Sequence, residues 1–113
     1  LVQVDVEMAT YLVQGSYTTD GIKGVIKEGG SGRREAVSTA LKALGGKIES
    51  MYYAFGDTDV YVIIAAPDNV TAASLLVAIA ATGTINLKTS VLLTVEEMDQ
   101  ATKKVTAYRG AGH

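Results

Sequence analysis

The sequence of 113 residues has no cysteine, no tryptophan, one proline, one phenylalanine and one histidine. Without cysteine there is no disulfide, no thiolate nucleophile and no cysteine-ligated metal. The single histidine is His113, the last residue. It cannot centre a Ser-His-Asp or Cys-His set, and a histidine-rich metal site within one chain is excluded. Excess charge of one sign is missing as well: ten Lys and Arg stand against twelve Asp and Glu, for a net charge of −2. No basic excess points to nucleic acid or to an anionic membrane surface. The longest apolar run, residues 72–81, falls well short of the ~20 residues a membrane-spanning helix needs. Residues 1–7 lack the basic stretch and apolar core of a signal peptide. They read as a leader or N-terminal extension before Met8, and their alternation of Val2, Val4 and Val6 with polar residues would suit an edge strand. A reducing cytoplasm is the expected location, and neither a cofactor nor a metal is expected.

What is present is globular: 48% hydrophobic and 19% charged residues in a length that suits one domain with one core. The organising stretch is residues 45–69, GGKIESMYYAFGDTDVYVIIAAPDN. Two strand-like runs, 47–55 and 60–66, flank the turn-forming Gly56, Asp57, Thr58 and Asp59, which predicts a β-hairpin. Before it, residues 9–17 read as a first strand, and the Thr18-Thr19-Asp20 run can cap a helix. That helix is interrupted or bent at EGGSG, residues 28–32, because adjacent glycines cost about 1 kcal/mol each in a helix interior. Helical spacing resumes over 33–44 and ends at Gly45.

After the hairpin, Asp68 or Asn69 caps a helix to about Ala81 that is apolar nearly all round, so its outer face is either buried or met by another subunit. Residues 85–94 alternate as a fourth strand. Thr94-Val95-Glu96-Glu97 makes a capping box for a last helix to about Tyr108, with Val95, Met98, Ala101, Val105 and Tyr108 as its apolar stripe. The domain is expected over residues 8–109, with 110–113 as a flexible tail.

The order β-α-β-β-α-β plus a terminal helix predicts an α+β, ferredoxin-like four-stranded sheet with two helices on one face. Apolar side chains occur at both strand parities, Leu12 beside Tyr11 and Val13, Val62 beside Ile63. Sheets covered on both faces read this way. A second copy is the natural cover, forming a dimeric α/β barrel, and an isologous homodimer or an assembly of dimers is expected.

The segments EGGSGRREAV, LGGKIESMYYAFGDTDVYVI, APDNVTAASL and LKTSVLLTVEEMDQATKK resemble the GYD-domain family of small bacterial proteins, in order and over essentially residues 8–109. The resemblance implies the dimeric α/β-barrel fold rather than any activity. The chain departs at the naming motif. Where the family usually has Gly, Asp or another residue, Tyr, then Asp, this chain has Gly56, Asp57, Thr58 and Asp59, and Thr58 offers a hydroxyl but no ring.

Three constellations are candidates for a site. Asp57 and Asp59 present two carboxylates for acid–base work or a cation, or else bond their own backbone in a solvated turn. Arg33 and Arg34, opening a helical segment after glycines, suit an anion, although no Walker pattern is present and solvated arginines on a flexible bend are the plainer reading. Tyr11, Tyr17, Tyr52, Tyr53 and Tyr61 all fall on predicted strands, and Tyr52, Tyr53 and Tyr61 are singled out together with Lys88. They suggest a polar pocket in an apolar barrel for a small, aromatic, anionic or phenolic ligand, against the plainer reading of packed tyrosines with satisfied hydroxyls. Lys88 must snorkel out, pair with an acid or line a wet cavity. Two functions compete. One is an oligomeric small-molecule-binding or structural and regulatory module. The other is a cofactor-independent oxygenase or isomerase acting on a small aromatic or polyketide-like compound, which rests on fold analogy. A haem or metal barrel lacks its donors.

Overall fold

A computed structural model describes residues 7–113; the strand expected within residues 1–7 lies outside the described residues, Glu7 aside. The elements are β1 (Ala9–Tyr17), α1 (Thr19–Ala43), β2 (Lys47–Tyr53), β3 (Val60–Ala66), α2 (Asn69–Ala80), β4 (Ile85–Leu92) and α3 (Val95–Thr102). The four strands form one antiparallel sheet in the order β2-β3-β1-β4. This is the ferredoxin-like arrangement with an added C-terminal helix, as the element order predicts.

The pleat decides which side chains meet the helices. Tyr11 and Val13 on β1, and Val60, Val62 and Ile64 on β3, form the core with Leu41 of α1 and with Ala72 and Leu75 of α2. A bulge between Ile48 and Ser50 shifts the register of the edge strand β2 and places Ile48, Met51 and Tyr53 opposite Ile64, Val62 and Val60. The other parity forms an open face. One row across it reads Tyr52, Tyr61, Gln14, Lys88, and the next reads Ser50, Ile63, Leu12, Ser90. No element of the described chain covers this face with buried contacts.

Helix α1 is two helical segments joined at a kink, where the single non-helical residue, Gly29, has φ 75° and ψ 167°. Only glycine takes that conformation without a Cβ penalty. The bend expected at EGGSG is therefore one glycine wide, and the helix continues on both sides. Helix α2 is capped by Asp68, whose Oδ1 accepts from the Thr71 N–H at 2.8 Å. That bond holds the Asp68 carboxyl below its ordinary range. Next to it the buried Tyr11 hydroxyl donates to Asn69 Oδ1 at 2.6 Å, and burial, with the Asp68 charge behind it, raises the phenol's pKa. Helix α3 has its expected capping box: Glu97 N–H donates to Thr94 Oγ1 at 3.0 Å and Thr94 N–H to Glu97 Oε1 at 2.9 Å. It stops at Thr102, six residues before the expected end at Tyr108. No residue of α3 is buried, so among the described residues no buried contact offsets the cost of holding Val105 and Thr106 helical.

Candidate functional site

Between the helices and the sheet lies a cavity of about 280 Å³. Its floor is the inner face of the central strands, with Val13, Val62 and Ile64, and its walls include Val37 from α1 and Leu75 and Ile79 from α2. It exists because the inward side chains are mostly Val and Ile, which are too short to meet across the gap that the two helices span. The polar side chains of the lining are Tyr17, Glu28, Arg33, Thr82 and Thr84.

These polar groups arrive from three elements. Tyr17 ends β1 beside Ile85, its register partner at the start of β4. Thr84 immediately precedes β4, and the Thr18 N–H donates to the Thr84 carbonyl at 2.9 Å. Thr82 Oγ1 lies 2.7 Å from Thr84 Oγ1. Glu28 and Arg33 sit on either side of the Gly29 kink, which brings residues five apart into contact. Arg33 Nη1 lies 3.3 Å from Glu28 Oε2 and 3.5 Å from Oε1. Both side chains are part-exposed, so the pair adds at most about 1 kcal/mol to stability. Its consequence is positional: a guanidinium and a carboxylate stand at the rim of an apolar chamber.

Tyr17 is half-buried. Burial pushes its phenol up to about 12; the neighbouring Tyr53 and the Asp59 charge add to the rise, and Arg33 opposes it. The hydroxyl is therefore a proton-bearing donor throughout the neutral range. The Tyr53 ring lies against Gly30, where an added Cβ would stand 3.0 Å from a ring carbon, and its hydroxyl is 3.5 Å from the Gly30 carbonyl. The kinked segment of α1 thus rests on Tyr53, next to Tyr17.

The residues singled out from the sequence are distributed over four places. Tyr52, Tyr61 and Lys88 share one row of the open face, with Gln14 between Tyr61 and Lys88. Lys88 is exposed, and among the described residues no acid pairs with it. Tyr53 faces the helices. Its separation from Tyr52 was readable from the sequence, because adjacent strand residues point to opposite faces. Arg33 joins the cavity, whereas Arg34 lines a separate polar groove between α1 and the edge strand β2 with Glu35 and Glu49.

Asp57 and Asp59 fasten the hairpin tip to the end of β1. Asp59 Oδ2 accepts from the Tyr17 N–H at 2.8 Å, the Asp59 N–H donates to the Gly15 carbonyl at 2.8 Å, and the Ser16 hydroxyl donates to the Asp57 carbonyl at 2.5 Å. Among the described residues no cluster of His, Cys, Asp and Glu could hold a metal ion, and no helix is long and apolar enough to cross a membrane. Sequence reasoning missed Glu28, Thr82 and Thr84, and it counted Tyr17 among the strand tyrosines without singling it out as a site residue. For Glu28 the available signal was its place directly before the glycine pair, with Arg33 just beyond it.

A family model for the GYD domain matches residues 11–102, a span from β1 through the end of α3. No curated protein and no solved structure matches the chain.

Proposed function

The chain belongs to the GYD-domain family, and from that premise we propose that it is a self-associating module that binds a small organic molecule in the cavity between its helices and its sheet. The observation that carries this reading is the cavity itself: about 280 Å³, apolar in its floor and walls, with a tyrosine and an ion pair at its rim. A dry cavity of about 150 Å³ accepts benzene, so this one has the capacity for roughly two fused rings or a chain of similar volume. Tyr17 and Arg33 supply donors and Glu28 an acceptor. A ligand with an apolar body and one hydroxyl or carbonyl end matches that arrangement. Burial raises the Tyr17 phenol to about 12, so this group suits donating a hydrogen bond rather than passing its proton near neutral pH.

Self-association rests on the open face. Leu12, Ile63 and Leu92 are only part-buried there, beside the exposed Tyr52 and Tyr61. An isologous partner stacked on this face would complete a dimeric α/β barrel and place Lys88 at its margin, where its ammonium can snorkel to water. The binding reading is tested by mass spectrometry of protein purified without denaturation. One small organic molecule per protomer, with an apolar body and a polar end, is the expected result. A polar metabolite such as a sugar phosphate would count against it.

A further inference from the structure

The C-terminal arm, residues 93–108, has the composition of a contact surface, and no described residue of the chain buries it. Leu93, Val95, Met98, Val105 and Tyr108 are between 51% and 87% exposed. On α3 itself Val95 and Met98 share one side of the helix, and Glu96 and Gln100 lie on the other. The helix has eight residues, and isolated helices shorter than ~12–15 residues are marginal in water. Yet its N-terminus is capped from both directions, so the local sequence specifies a helix whose apolar side is left unburied by the described residues. The radius of gyration is 17.3 Å, against about 13 Å for a compact chain near this length, consistent with the arm standing away from the core.

We propose that this arm clasps a second copy of the chain, laying the Val95–Met98 side and the apolar residues that follow it on the partner. The inference rests on the self-association reading above and adds the element that secures it. Three observations favour a second copy as the occupant. The arm follows β4 directly after Leu92, which belongs to the open face, so it starts at the edge of that face. That face alone is small: four strands about 4.8 Å apart and eight residues at about 3.3 Å give roughly 500 Å² of projected area, whereas a standard interface buries roughly 800 Å² on each partner. The arm supplies adjacent apolar surface to make up the difference. An anionic membrane is the weaker occupant, because the first turns of α3 carry Glu96, Glu97 and Asp99.

The test uses the full chain, a chain ending at Leu92, and a doubly substituted full chain with Val95→Asp and Met98→Asp. Association is read by sedimentation equilibrium, and folding by far-ultraviolet circular dichroism. The full chain is expected to be a dimer, and both variants are expected to weaken association on the order of 100-fold. The double substitution keeps the test open if the shortened chain does not fold. Gln100→Asp, on the opposite side of α3, should leave association unchanged.

Because the chain has no cysteine, a benzophenone attached through Met98→Cys has one address. It should produce crosslinks at twice the protomer mass. A monomeric full chain would remove both self-association and the clasp. A full-length dimer matched in strength by the two arm variants, or benzophenone crosslinks confined to one chain, would overturn the clasp alone.

Discussion

Gly21→Ala is expected to lower the stability of the fold by about 2–4 kcal/mol, read as a fall in the urea midpoint without a change in slope. Gly21 is buried in the first turn of α1. A Cβ built there would sit on the Thr84 carbonyl oxygen and press on the Tyr17 ring. Two bonds tie the same junction: the Thr18 N–H to the Thr84 carbonyl at 2.9 Å, and the Thr18 hydroxyl to the Gly83 carbonyl at 3.0 Å. The obstacle is backbone, so no side-chain rotation relieves it, and the helix must lift away from β4. Alanine's better helix propensity returns about 1 kcal/mol at most, which the steric cost exceeds. Gly24→Ala, one turn on, is the internal control. Its added Cβ would meet only the Glu28 carboxylate, at 3.9 Å, so propensity prevails and stability should rise by up to about 1 kcal/mol. Equal effects at the two positions would refute the close approach of α1 and β4.

Val37→Phe is expected to abolish binding of a bicyclic probe and leave the fold intact. Val37 projects from α1 into the cavity wall and is part-buried. The larger ring has the empty space before it, so overpacking is not the governing effect; filling a cavity commonly adds about 0.5–2 kcal/mol of stability. The same ring removes volume a ligand would need. With 2-naphthol as the probe, affinity should fall at least about tenfold, the equivalent of about 1.4 kcal/mol, while the thermal midpoint holds or rises. Tyr17→Phe separates shape from polarity. It keeps the ring and removes the donor, and a lost hydrogen bond to a neutral ligand costs about 0.5–1.5 kcal/mol. Unchanged 2-naphthol affinity in Val37→Phe would place the binding site elsewhere.

The sequence made the scaffold legible where local chemistry is strong. The limits expected for β1 and β3, 9–17 and 60–66, are those observed, because alternation bounded by Thr18 and by Pro67 leaves little freedom. The capping box at Thr94 is likewise local, and it formed as expected. Where tertiary contact decides, expectation and structure part. The last helix was expected to reach Tyr108, yet it ends at Thr102: among the described residues the stripe that suggested a longer helix is buried against nothing. The site was legible only in pieces. Composition pointed to tyrosines on strands, and five of the six are there. The row Tyr52, Tyr61, Gln14, Lys88 requires a register that no single strand encodes. The meeting of Glu28 with Arg33 depends on a positive φ at Gly29, and the choice among four nearby glycines for that role is not written in their identity. The cavity is a property of two helices spanning short side chains, which no linear pattern reports.

The two faces of the sheet give the most direct test of where a ligand sits. Methyl-resolved NMR on the full chain, with 2-naphthol titrated in, reads both faces at once. Val13, Val62 and Leu75 line the cavity, while Leu12 and Ile63 occupy the open face. The account predicts saturable shifts at the first set, with intermolecular Overhauser contacts to the naphthol ring, and little change at the second. Shifts confined to Leu12 and Ile63, with Val13, Val62 and Leu75 unmoved at saturation, would contradict it.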